Sequence, residues 1–376
     1  MIRELRGITG IRGIIAFIIA YLFHYYSIFG VMPDTVVWIN YLFGKVSSYG
    51  LMMPDMFFWL SGFLMMYIYH ERIESGMTFK KYLIPKIIKC QPLVITTAIV
   101  TFFLQRVGKL WFGEFPLHSL GAPYRESAGA LLLNLAGLQC GIISNGDTMA
   151  TNGPSWFVTV LFICYILYYV VVKNIKKLTG QILVFALVMI CGITCLLLDI
   201  SFPLLYSCVC RGYIGFFGGV LLFQATKYLK KEHIGFLAAV SIVFIIVGMK
   251  LYIPDVSARS FIIVNLLLWP EILYLGVFCK PIVKILGCRC LEQLGRISMS
   301  IFLWNLPTDI LIIICNKRLN LNLAFGSVKV WMVHVILSLM IAGISYVLIE
   351  KRFTKKMNEW WLNQCEDRDA EIQGEK

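Results

Sequence analysis

Residues 6–26 read RGITGIRGIIAFIIAYLFHYY. From Ile11 onward the stretch is apolar over the roughly 20 residues that a membrane span needs, yet Arg12 stands at its mouth and His24 deep within it. An ionisable side chain in hydrocarbon is costly, so it marks a functional site by default.

Composition sets the class around that stretch. The chain is 59% hydrophobic and 14% aromatic with a mean hydropathy of +0.78, against roughly 45–50% apolar residues in soluble domains. A soluble enzyme is excluded, and an all-α polytopic transmembrane helix bundle is expected. Ten apolar stretches fit spans, at 11–30, 48–69, 91–107, 154–172, 181–198, 203–225, 234–250, 257–279, 297–315 and 327–349. A weaker one at 128–143 is short and Gly-rich, and reads as interfacial or re-entrant.

Basic residues orient the bundle, because cytosolic loops carry the excess of Lys and Arg. With both termini in the cytosol, 24 of the 34 Lys and Arg fall inside. An eleventh span at 128–143 would invert everything after it. The expected location is the cell membrane, crossed many times. Basic loops against anionic lipid account for the net charge of +13 with no nucleic-acid partner. The twelve cysteines are scattered without a CxxC pair, so neither a disulfide framework nor a metal site is expected. Tyr25 and Tyr26 replace the small residues of a signal-peptide cleavage site, so the first stretch is kept as a span. Residues 1–350 read as one membrane domain and 351–376 as a charged cytosolic tail.

Further polar residues fall inside the spans. MMPDMFFWLSGFLMMY places Asp55 near the outer end of the second span, with Ser61 and Gly62 near its middle. Arg211 lies in CVCRGYIGFFGGVLL and must face a cavity or a carboxylate. LGRISMSIFLWNLPTDI carries Asn305, Pro307 and Asp309, and His334 in the tenth span reads as a packing residue. Between the second and third spans, KKYLIPKIIKCQP presents Lys80, Lys81, Lys86 and Lys89 to the cytosol, as point charges for phosphates.

Seven pieces in order carry a resemblance: RGITGIRGIIAFIIAYLFH, PDMFFWLSGFLM, PKIIKCQP, GPSWFVTVLF, RGYIGFFGGVLL, LGRISMSIFLWNLP and SYVLIEKRF. Over roughly residues 5–355 the chain resembles the acyltransferase-3 family of integral-membrane acyltransferases. The resemblance implies transfer of an acyl group, usually acetyl, from cytosolic acyl-coenzyme A to a hydroxyl of an extracytoplasmic polysaccharide or glycolipid. It implies Arg12, Lys86 and Lys89 as a clamp for the phosphates of acetyl-CoA, and His24 as the base that meets the hydroxyl. Partner proteins of glycan biosynthesis are a further expectation.

Three departures from the family pattern stand out. Eleven residues separate Arg12 from His24 where the family has ten. At about 100° per residue, eleven steps return to within about 20° of one face and twelve miss it by about 120°, so a bulge or bend is needed. Leu161 stands where many members have Glu, and Asn305 where a histidine is common. Asp55 can orient the imidazole or pair with Arg211, and Arg211 or Asn305 can stabilise the oxyanion. The outside stretch 108–153, with Trp111, Glu114, His118, Tyr124, Arg125, Glu126 and Asp147, suits a sugar acceptor. Direct transfer and an acyl-histidine intermediate both stay open. The alternative from another class is a proton-coupled transporter or flippase of a lipid-linked sugar, with Asp55, Arg211 and His24 as a proton relay.

Overall fold

The computed structural model describes residues 6–33, 50–117, 123–145, 150–228, 234–250 and 257–374. Helix α1 spans Arg6–Phe29, α2 Met53–Glu74, α3 Phe79–Phe112, α4 Ala128–Ala136, α5 Trp156–Asn174 and α6 Leu178–Leu197. Then follow α7 Ser207–Lys227, α8 Ile234–Lys250, α9 Ala258–Phe278, α10 Lys280–Leu286, α11 Arg289–Arg296, α12 Ser298–Leu319, α13 Val328–Ser345 and α14 Thr354–Gly374. Among the described residues there is no strand.

Each of the ten expected spans coincides with a helix, and eight of these helices are long and apolar enough to cross a membrane. In α2 the charges Asp55, Glu71, Arg72 and Glu74 dilute the hydropathy, and α8 is 17 residues long. The nine residues of α4 extend about 14 Å, under half of a hydrocarbon core of roughly 30 Å. That helix cannot span.

The Lys-rich stretch after the second span forms the opening turns of α3, capped by Thr78, whose side chain accepts from the Lys81 amide. A 34-residue helix runs about 51 Å, longer than the hydrocarbon is thick. Its first turns, with Lys80 and Lys81 exposed, therefore continue the span beyond the lipid. The chain likewise stays helical after Glu350, through α14, where the Thr354 hydroxyl donates to the Ile349 carbonyl at 3.1 Å and lies 3.5 Å from that of Ile88.

Glycines set the depth of packing. A methyl group added at Gly62 of α2 would sit 1.8 Å from the Phe216 carbonyl oxygen of α7. Small residues are what let membrane helices meet backbone to backbone. The same device seats α1, where a methyl at Gly10 would lie 2.1 Å from the Leu286 carbonyl oxygen.

Among the described residues the α-helical ladder loosens at three places, becoming π-helical at Ile19–His24, Val264–Leu268 and Tyr346–Phe353. Each of these turns carries a polar residue of the interior: His24, Asn265 and Glu350.

Gly62→Ala is expected to destabilise the protein by about 1–3 kcal/mol through overpacking. Gly343→Ala, on an α13 face with open space around it, is expected to be neutral or mildly stabilising. Thermal unfolding of the two detergent-purified variants beside the wild type measures both.

Candidate functional site

Two cavities lie at opposite ends of α1, one lined by Arg12 and the other by His24. Twelve residues at 1.5 Å rise put these side chains about 18 Å apart along the helix. Four of the motifs read from the sequence line both spaces. The first span gives Arg12 to one and Ile19, Phe23 and His24 to the other. The second gives Phe57, Leu60, Ser61 and Leu64 to one and Pro54 to the other. The GPSWF segment gives Phe157 and Val158 against Gly153, Pro154 and Trp156, and α12 gives Met299 and Leu303 against Leu306.

The cavity at the Arg12 end has a volume of about 400 Å³, within the range of small-molecule sites. It follows α2 from Tyr69 to Phe57, again about 18 Å. Arg12, Lys86 and Lys89 all line it, so the three expected clamp residues come together. Lys86 is buried. Its ammonium donates to the Tyr82 carbonyl at 2.8 Å and rests 3.5 Å from the centre of the Tyr69 ring and 3.6 Å from that of Tyr82. Such a cage satisfies the charge by cation–π attraction. Arg12 and Lys89 make no ion pair among the described residues, which leaves them open to an anionic ligand. Leu161, where many relatives have Glu, belongs to the apolar wall.

Sequence reasoning assigned no role to Glu350, which ends the SYVLIEKRF piece. Its carboxylate accepts from the Ser300 hydroxyl at 2.5 Å and lies within electrostatic reach of Lys89 and Arg12. A charge at the end of a hydrophobic stretch resembles an interfacial anchor, and only the fold brings residue 350 beside residues 12 and 89.

The second cavity, about 700 Å³, is lined by His24, Arg125, Arg211, Trp156 and Tyr26 among others. Of the side chains named for the expected acceptor stretch, Arg125 reaches it. Glu114 instead pairs with Lys317 at 2.6 Å, and His118 and Asp147 lie outside the described residues.

His24 ends the π turn of α1. Its Nδ1 is 2.7 Å from Asn305 Oδ1, and Asn305 Nδ2 donates to the Ala20 carbonyl at 3.2 Å. These two bonds fix the tautomer. A carbonyl can only accept, so the amide nitrogen must face Ala20 and the amide oxygen must face the imidazole. Nδ1 therefore donates to that oxygen, and in the neutral imidazole the lone pair is on Nε2. A second carbonyl of the π turn, that of Tyr21, accepts from Trp331 Nε1 at 2.9 Å. Asn305, read in the sequence as a departure from the family pattern and a candidate oxyanion donor, spends its amide on Ala20 and His24, holding the turn and the histidine together.

Asp55 is fully buried and partners Arg211, not the imidazole. Arg211 Nε donates to Asp55 Oδ1 at 2.9 Å and Nη2 to the Leu51 carbonyl at 2.6 Å, while Asn265 Nδ2 donates to Asp55 Oδ2 at 2.8 Å. Trp59 Nε1 in turn donates to Asn265 Oδ1 at 2.9 Å. The carboxylate is satisfied on both oxygens, as a buried charge must be, and the guanidinium is held at the cavity wall.

Elsewhere the backbone is repaired by a side chain. Pro307 has no N–H for the Leu303 carbonyl one turn earlier, and Asn152 Nδ2 donates to that carbonyl at 2.8 Å. This bond ties the segment before GPSWF to the middle of α12.

Asp309 and His334 form a separate buried pair at 2.5 Å, in contact with the Tyr21, Tyr25 and Phe29 rings through His334.

The profile of a known family, described as an acyltransferase domain (Acyl_transf_3), matches residues 5–350. No curated protein and no solved structure gives a significant match. The match covers nearly all of the helical bundle and the lining of both cavities except Thr354 and Asn358 of α14. The chain belongs to the acyltransferase-3 family of membrane acyltransferases.

Proposed function

We propose that the protein transfers an acetyl group from cytosolic acetyl-CoA to a hydroxyl of an extracytoplasmic polysaccharide or glycolipid, from within the cell membrane. The observation that carries this reading is the pair of cavities at the two ends of α1, one with open cations and the other with a histidine in a defined tautomer.

Arg12 and Lys89 hold the phosphates of the donor by charge-assisted hydrogen bonds. Lys86, caged by Tyr69 and Tyr82, adds positive potential from the wall. The pantetheine arm then runs along the apolar length beside α2, which brings the thioester towards Phe57 and the far end of the cavity. The acceptor enters from the other side, where Trp156 and Tyr26 supply aromatic faces for a sugar.

A sugar hydroxyl is a weak nucleophile at neutral pH. His24 Nε2 takes the hydroxyl proton as the oxygen attacks the thioester carbonyl. Arg211, held by Asp55, offers positive charge to the oxyanion. The C–O bond forms, the C–S bond breaks, and the imidazolium returns its proton to the departing thiolate. Nothing is consumed except thioester and hydroxyl.

In membranes given radiolabelled acetyl-CoA, the wild-type protein should place label on the surface-glycan fraction, as an ester released by mild alkali. His24→Ala at equal abundance should lower that rate by about 10²–10⁴, the usual worth of general base catalysis. Label with both proteins would remove His24 from the chemistry. Proton-gradient dependence without thioester consumption would support the transporter instead.

Asn305→Leu should also lower kcat, because it removes the bond to Nδ1 and the donor to the Ala20 carbonyl together. Arg12→Ala should act differently, raising the KM for acetyl-CoA by about 10–100-fold, as expected for a lost hydrogen bond to a charged group, with kcat little changed. Initial rates over a range of acetyl-CoA concentrations separate the two.

A further inference from the structure

Resting on the acyl-transfer reading, a further role falls to Phe302, the residue that lines both cavities. Its ring centre lies 6.2 Å from that of Phe57 and 6.2 Å from that of Phe157, both in the wall of the donor cavity. On its other side the His24 imidazole is stacked against it, with ring centres 6.4 Å apart and planes 26° apart. Phe57 and Phe157 also meet each other, at 5.8 Å. Three phenyl rings therefore meet in the wall of the donor cavity, and one of them, Phe302, also stacks on the base and lines its cavity.

We propose that Phe302 is the partition between thioester and hydroxyl and the residue that limits the acyl group to a short chain. The chemistry needs the thioester carbonyl and the hydroxyl in contact, which the ring prevents in the position it holds. A continuous aqueous bore in its place would expose the thioester to water and the membrane to ion leak. A phenyl ring suits the task because it has no hydrogen bond to break when it turns. The backbone beside it is suited too: the Leu303 carbonyl, next in the chain, is bonded by the Asn152 side chain in place of the N–H that Pro307 lacks. An acyl group crossing the partition passes between Phe57, Phe157 and Leu303, where each added methylene must displace packed side chains. A methylene in a closed apolar pocket changes discrimination by about 10–200-fold, which makes acetyl the group that fits.

Cys90 lines the donor cavity and serves as a native reporter. A small membrane-impermeant methanethiosulfonate is applied to one face or the other of sealed vesicles, and modified Cys90 is quantified by peptide mass. In the wild type, Cys90 should react from the cytosolic face and be spared from the outer face. Phe302→Ala should raise the outer-face rate at least about tenfold, and Phe302→Leu should raise it less, with the cytosolic-face rate unchanged in both. Equal wild-type rates from the two faces, or no gain in either variant, would overturn the partition. A second measurement compares butyryl-CoA with acetyl-CoA as donor. Phe302→Ala should shift the ratio of their rates towards butyryl by about tenfold or more, and an unchanged ratio would overturn the limit on chain length. Labelling needs no catalysis, so its failure leaves acyl transfer standing. Absence of thioester consumption by the wild type would remove acyl transfer and leave the labelling pattern to be read by itself.

Discussion

One helix must present two side chains, about 18 Å apart, to the same interior, and the rest of the site is arranged around that requirement. Arg12 and His24 are twelve residues apart, a count that leaves a regular α-helix badly out of phase. The π turn at Ile19–His24 absorbs one residue and brings His24 back towards the face of Arg12. Such a turn disturbs the backbone ladder, and inside lipid every backbone polar group needs a partner. Asn305 and Trp331 supply donors to the Ala20 and Tyr21 carbonyls. The side chain that steadies the irregular turn is therefore also the one that sets the protonation of the histidine. Local backbone geometry and chemistry share a single residue on α12.

The other two π turns follow the same logic. Asn265, in the turn of α9, binds the carboxylate that holds Arg211. Glu350, in the turn after α13, binds Ser300 near the cations of the cavity lined by Arg12. Loosened turns recur at functional sites because they re-aim a side chain without ending the helix. Here the chain keeps its span lengths, which the membrane dictates, and still places polar groups where a regular helix would not. Close glycine contacts do the complementary work. By letting α2 reach the backbone of α7, they bring Asp55 and Arg211 within ion-pair distance, 156 residues apart in sequence.

Much of this was legible in the residues. Apolar runs of about 20 residues reveal spans because the hydrocarbon requires them, and all ten runs proved helical. The twelve-residue step from Arg12 to His24 signalled a bulge through its phase alone. The helical start of α3 was not legible in the Lys-rich stretch, since charge marks the edge of lipid but not the end of a helix, and α3 continues past that edge. The two candidate partners of Asp55 could not be separated by sequence, because the choice depends on how closely α2 and α7 pack. Asn305 looked like a lost histidine until Ala20 and His24 were found on its two amide atoms. Nothing singled out Phe302 among 26 phenylalanines. Its role comes from position between two spaces, which periodicity does not encode.

The phasing of α1 can be tested by changing its length by one residue. Deleting Leu22 restores ten residues between arginine and histidine, so the π turn is no longer needed, and inserting one alanine after Leu22 adds a residue that the turn has no means to absorb. With both variants at wild-type abundance, acetyl transfer from acetyl-CoA is the quantity to measure. The account predicts that the deletion retains transfer within about tenfold and that the insertion loses it as fully as removal of the imidazole does, about 10²–10⁴. An inactive deletion beside an active insertion would contradict it.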